Sequence, residues 1–162
     1  MTAHAEGVPP QLLVFLIEHG IAADFVAPGV PMPTVLAAAA AIGVPETRIL
    51  KTLLFTADDG AHVIAIANGV RRVSRALLAQ ASGLTRPRAA SPETVFAVTG
   101  YPAGGVAPLG LPKGLPVVVD ERVAMLPLAY GGGGREDLLL RLDPADLIRL
   151  NHAVVARIVI ED

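Results

Sequence analysis

The chain has 162 residues, with 13 basic and 15 acidic side chains, a net charge of −2 and 52% hydrophobic residues. That is the size and apolar content of one folded domain, which excludes a disordered chain and a multidomain assembly. Cysteine is absent, which removes disulfide frameworks, thiol nucleophiles and thiolate metal sites from consideration.

Aromatic side chains make up only 4%, so the core is to be built from Ala, Val, Leu and Ile. The first Lys or Arg is Arg48, so no secretory leader is expected at the start. The longest apolar run, Val35 to Val44, has about half of the ~20 residues that a bilayer-spanning helix needs. These features predict a soluble, cytosolic chain with no membrane contact. One domain over residues 9–162 is expected, after a flexible N-terminus over residues 1–8.

In chain order, a first helix is expected from Pro10 to His19, burying Leu12, Leu13, Phe15, Leu16 and Ile17 and ending at Gly20. The Pro-rich stretch Pro28–Pro33 reads as a connection. Thr34 then caps a helix over Val35–Ile42 that Gly43 terminates. Strands over Arg48–Thr56 and Ala61–Ala67 flank Asp58-Asp59-Gly60, whose Asp-Gly pair suits a hairpin turn. Ser74 caps Arg75–Ala81. Ser91 caps Pro92–Val98, with proline at the first helical position, where a missing N–H costs nothing. Gly100–Gly114 is too rich in Gly and Pro for helix or strand and reads as a shaped loop. Leu115–Val119 and Leu138–Leu142 are expected strands, Asp143 caps a helix to Leu150, and Ala153–Ile160 closes the chain as a strand. This order of elements is that of an α+β fold, a mixed sheet packed with helices, and not a doubly wound one.

Several familiar constellations are missing. Gly105 and Gly110 have phosphate-loop spacing, but Leu111-Pro112 stands where Lys-Ser/Thr is required. No GxGxxG occurs. The histidines His4, His19, His62 and His152 lack the spacing of a zinc helix, and no serine lies in a Gly-x-Ser-x-Gly elbow.

Lysine is the rarer base, with only Lys51 and Lys113. Strand alternation puts Lys51 on the face of Ile49, Leu53 and Phe55, where an ammonium is costly unless it reaches water or a polar cleft. Gly100–Gly110 offers glycines that let a ligand approach the main chain, with prolines that fix the path; a tight structural connection has the same composition. Gly131–Gly134 is either a substrate-facing turn or a plain hairpin. Charge is uneven as well. Residues 61–92 carry Arg71, Arg72, Arg75, Arg86 and Arg88 and no acid, whereas residues 1–47 carry four acids and no Lys or Arg. The arginine strip is either a nucleic-acid contact or a solvated surface.

Four pieces in order resemble the YbaK/prolyl-tRNA-editing domain family: Gly43-Val44-Pro45-(x2)-Arg48-Ile49-Leu50-Lys51-Thr52-Leu53; Arg71-Arg72; Thr99-Gly100-Tyr101-(x2)-Gly104-Gly105-Val106-(x)-Pro108-(x)-Gly110; and Leu142-(x)-Pro144-Ala145-Asp146-Leu147. The family is similar to the insertion domain of bacterial prolyl-tRNA synthetases. The resemblance implies a single α+β domain with a mixed, partly barrel-like sheet and surrounding helices. It implies a trans-editing deacylase that hydrolyses the ester of a misacylated tRNA, tRNA-Pro carrying Ala or Cys, with no metal or organic cofactor. Its partners would be the tRNA acceptor end and an aminoacyl-tRNA synthetase.

By the same resemblance Lys51 is the essential lysine, and Gly104, Gly105 and Pro108 belong to the Gly-x-x-x-Pro loop that positions ester and water. Gly100, Gly132 and Gly133 would line the substrate, and Arg71, Arg72 and Arg75 would meet tRNA. Two departures stand out. Gly132 occupies a position where several editing members have Ser or another polar side chain. The stretch from Ala23 to Pro28 offers Asp24 and Phe25 where many relatives have Tyr or His. A catalytically silent module that binds a tRNA end, nucleotide or synthetase is the alternative reading.

Overall fold

The computed structural model describes residues 7–22 and 24–160. Helix α1 covers Pro10–Glu18 and buries Leu12 and Leu16. Strand β1, Asp24–Val26, follows, then helix α2 over Val35–Ile42, capped by the Thr34 hydroxyl, which accepts from the Ala37 N–H, and closed by Gly43. A 3-10 turn at Glu46–Arg48 leads into the hairpin β2, Leu50–Thr56, and β3, His62–Asn68. Helix α3, Arg75–Ser82, strand β4, Arg88–Ala89, and helix α4, Pro92–Thr99, come next. The second half carries β5, Val117–Asp120, α5, Glu121–Ala124, β6, Ala129–Gly132, β7, Leu139–Leu142, α6, Pro144–Leu150, and β8, Val154–Ala156.

The capping serines Ser74 and Ser91 and Asp143 all accept from the first turn of the helices they precede, which is why these boundaries match the sequence pattern closely. The last expected strand, Ala153–Ile160, is shortened to Val154–Ala156: its next residues turn away, and Val159 bridges Val73 instead. The flexible N-terminus expected over residues 1–8 lies outside the described residues as far as residue 6, and Val8 within it is buried. Ala23 also lies outside them.

The strands form a five-stranded mixed sheet in the order β4-β2-β3-β5-β8 and a three-stranded antiparallel sheet in the order β1-β7-β6. A single parallel bridge from Ile49 to Tyr130 joins β2 to β6, so the two sheets wrap partly around a common core. The main cluster includes Leu12, Leu54, Ile64, Tyr101, Leu140 and Leu147. Two smaller clusters lie outside it. One places Leu78 of α3 with Phe55 and Val63; the other places Ala38 and Ala39 of α2 with Ile49 and Leu139.

The end of β5 is fixed by a fully buried carboxylate. Asp120 accepts from the Arg122 N–H at 3.1 Å, capping α5, and from the Ile158 N–H at 2.9 Å, which holds the C-terminal segment beside β5. Removing it leaves a buried donor unmatched, at about 1–3 kcal/mol for each group. Asp120→Ala is therefore expected to lower unfolding stability by about 3 kcal/mol in urea denaturation, with a smaller loss for Asp120→Asn, which keeps an acceptor; an unchanged midpoint for the alanine variant would contradict this latch.

Candidate active site

Strand β2 has two unequal sides. Leu50 and Leu54 point into the main cluster, and Leu53 and Phe55 belong with the cluster under α3. Ile49, on the same side as Leu53, packs instead under α2. Lys51 lies between Ile49 and Leu53, where one helix-covered cluster stops and the next begins. The apolar face is thus interrupted at the one residue that carries a charge. Lys51 is half-buried, and loss of water around it pushes its ammonium below the ordinary lysine range. It pairs with no carboxylate among the described residues.

The outer edge of β2 is also open. It pairs with β4 only at Phe55 and Thr56 and meets β6 through Ile49. Between these points Leu50, Lys51, Thr52 and Leu53 line a cavity of about 180 Å³, closed by Gly104, Val106 and Gly132 and by the start of α2 at Thr34 and Val35. It adjoins a groove of about 840 Å³ between the Gly29–Pro33 segment and the β6–β7 turn, with Met32, Pro33, Gly104, Arg135 and Glu136 common to both.

The Gly-Pro loop that closes this cavity contains neither helix nor strand, as its composition predicts, yet Gly105 to Leu109 is buried. Side chains from distant elements hold it. The Tyr101 hydroxyl donates to the Leu109 carbonyl at 2.8 Å, Asn151 Nδ2 to the Pro108 carbonyl at 2.7 Å, and Gln11 Nε2 to the Gly110 and Thr99 carbonyls, both at 2.9 Å. Burial pushes the Tyr101 phenol well above its ordinary range, so it stays a neutral donor.

Glycine is required where the loop meets the β6–β7 hairpin. A Cβ on Gly105 would come within 2.6 Å of the Arg135 backbone, and one on Gly132 within 2.4 Å of the Val106 carbonyl oxygen. The glycine run is therefore part of a strand and not only a turn: Gly131 and Gly132 pair with Leu140 and Leu139. The bare backbone is what lets the loop lie against it.

Of the residues singled out in the sequence, Lys51, Gly104 and Gly132 line one cavity. Gly105 and Pro108 sit behind it as supports, Gly105 against Arg135 and Pro108 against Gly131. Gly100 and Gly133 are not among the lining residues. Gly100 ends α4 in the left-handed conformation and packs on Gln11; the Gly133 N–H donates to Leu138 in the hairpin.

Arg71 and Arg72 follow β3 at the end where Asn68 pairs with Leu50, next to Lys51. Arg88 pairs with Thr56 at the opposite end of β2. Arg86 and Arg88 form ion pairs with Asp58, and Arg75 Nε donates to the Pro87 carbonyl at 2.7 Å. The strip seen in sequence is thus two separate groups. Sequence reasoning missed Thr52, the Met32-Pro33 wall and the Arg135-Glu136 turn. Pro and charged residues between elements read as connections, and nothing local marks them as cavity walls.

The chain as a whole is similar to known proteins. Residues 30–150 match the family model for the aminoacyl-tRNA editing domain. The proline–tRNA ligase of Pelotomaculum thermopropionicum is 31% identical over 119 residues, 73% of this chain and 20% of the ligase. The chain thus spans about a fifth of the length of that relative. A protein of Enterococcus faecalis, named as a candidate Cys-tRNA(Pro)/Cys-tRNA(Cys) deacylase, is 26% identical over 124 residues, 76% of each chain. A solved structure described as a candidate trans-editing enzyme for prolyl-tRNA synthetase superposes with a TM-score of 0.84 at 28% identity, covering 96% of this chain and 100% of the other. The chain belongs to the aminoacyl-tRNA editing domain family.

Two outcomes follow from this geometry. Gly132→Ala is expected to push the Val106 backbone away and lower the melting temperature; an unchanged melting temperature would show that the close approach is dispensable. The ammonium of Lys51 is disfavoured by folding, so the unfolded state binds the proton more readily, and stability rises with pH from the lowered native pKa up to the ordinary value near 10.5. Lys51→Met removes that penalty. In melts at pH 7 the variant should be at least as stable as the wild type, with any advantage shrinking toward pH 10; a clear loss at pH 7 would contradict the sign.

Proposed function

We propose that this chain is a trans-editing deacylase that clears small, wrongly attached amino acids, Ala or Cys, from tRNA-Pro. The observation that carries the reading is that Lys51 and Gly104 border one cavity of about 180 Å³, below the 300–1,000 Å³ range of drug-sized pockets and suited to a small acyl group. The adjoining groove of about 840 Å³ has room for the terminal adenosine. Arg71 and Arg72, on the Lys51 side, supply local positive charge for the acceptor stem. Prolyl-tRNA synthetase is the natural partner for such an activity, since its errors create the substrate.

The reaction needs no protein nucleophile. Water adds to the ester carbonyl carbon, the bond to the ribose oxygen breaks, and that oxygen leaves as the hydroxyl of the terminal adenosine, so one water yields one free amino acid and one intact tRNA. What the protein supplies is placement of ester and water and donors for the negative oxygen that forms. The Lys51 ammonium and the main chain of the Gly104–Pro108 loop are the groups assigned to this work.

Hydrolysis of Ala-tRNA-Pro and Cys-tRNA-Pro is the direct test. Wild type should release the amino acid, and Lys51→Ala should be slower by about 10²–10³, the loss typical of removing one such donor. A wild type that binds the charged tRNAs without turnover would sink this reading in favour of the silent binding module.

A further inference from the structure

The turn between β6 and β7 carries three charged residues in a row, and they are not equivalent. Arg135 Nε donates to Asp137 Oδ1 at 2.5 Å. The Glu136 carboxylate forms no hydrogen bond or ion pair among the described residues. Although exposed, it is not turned away from the protein. A Cβ built on Gly104 would lie 3.1 Å from both Cγ and Oε1 of Glu136, so the carboxylate rests against the main chain of the Gly-Pro loop.

Glu136 stands on the border that the inner cavity shares with the outer groove. Among the described residues lining the inner cavity it is the only carboxylate, and Lys51 and Arg135 line the same space. A ligand with its acyl group in the cavity and its adenosine in the groove has its ester at that border. The α-amino group is two bonds from the ester carbonyl carbon, so it lies close to the border as well. Near neutrality it is a cation that only donates, as Lys51 and Arg135 do. An ammonium entering beside two other cations needs an acceptor of opposite charge, and Glu136 offers one.

We propose that Glu136 is a specificity residue: its carboxylate accepts a hydrogen bond from the α-ammonium of the aminoacyl group at the mouth of the Lys51 cavity, so that the site selects aminoacyl over simple acyl esters. The proposal rests on the deacylase reading for its ligand class, but not on turnover.

Binding to two non-hydrolysable probes separates the questions: 3′-deoxy-3′-(L-alanylamino)adenosine and the propionylamino compound that lacks the amino group. Neither carries a phosphate, so a change of charge at position 136 does not act through repulsion of the tRNA backbone. At pH 6.5, below the ordinary α-amino pKa of about 8, wild type should bind the first more tightly than the second. Glu136→Ala should lose about fivefold for the alanyl probe, the upper end for an ion pair open to solvent, and nothing for the propionyl probe. Glu136→Gln, which keeps an acceptor but not the charge, should fall between. Both variants should melt with the wild type, because the carboxylate satisfies nothing in the unliganded protein.

Equal binding of both probes by the wild type, or no measurable binding of either, overturns the proposal. So does an alanine variant that keeps the wild-type preference, or one that loses equally on both probes. A wild type that shows the predicted binding pattern yet releases no amino acid from charged tRNA keeps the proposal and removes the hydrolytic reading. Hydrolysis of charged tRNA by a protein that binds the two probes equally does the reverse.

Discussion

The arrangement depends on leaving a short length of β2 uncovered. A strand flanked on both sides by helices and on both edges by strands would bury Lys51 outright, a cost that either neutralises the amine or demands a partner for the charge. Here α2 and α3 cover different parts of one face, β4 stops at Phe55, and β6 touches only at Ile49. What remains is a gap with one ammonium and an open backbone edge, at a place where elements of both sheets meet.

The Gly-Pro loop turns that gap into a cavity, and its rigidity is borrowed. No ladder hydrogen bonds fix residues 100–114; Tyr101, Gln11 and Asn151 do so from α4's end, α1 and α6. Positioning of a reacting ester gains most when the groups around it have few alternative conformations. Prolines limit the backbone, and long-range side-chain bonds select one path. The glycines of the loop and of β6 serve packing of main chain against main chain, which also explains why position 132 carries no polar side chain: the Val106 carbonyl occupies the space.

Much of this fold is written locally. The caps Thr34, Ser74, Ser91 and Asp143 and the Asp58-Asp59-Gly60 turn set boundaries within a residue or two, because each satisfies backbone donors or a positive φ by itself. Strands β1, β4 and β6 and helix α5 were not legible, because they lack the apolar runs that mark the equally short β5, β7 and β8, and β6 reads as loop from its glycines. The candidate site divides in the same way. An ammonium inside an apolar strand is conspicuous in sequence, whereas the Met32-Pro33 wall reads as a connection, and the arginine strip looks continuous until β2 and β3 carry its ends apart.

The central claim is that the open edge of β2 and the Gly-Pro loop form one substrate cavity. The most direct measurement is a map of backbone amide shifts as 3′-deoxy-3′-(L-alanylamino)adenosine, a non-hydrolysable analogue of the aminoacylated terminal adenosine, is titrated into the labelled protein. Perturbations gathered at Leu50–Leu53 and Ala103–Val106 are the predicted result. Shifts gathered instead in the separate groove between α1 and the Leu111–Leu115 segment, with the Lys51 region silent, would contradict it.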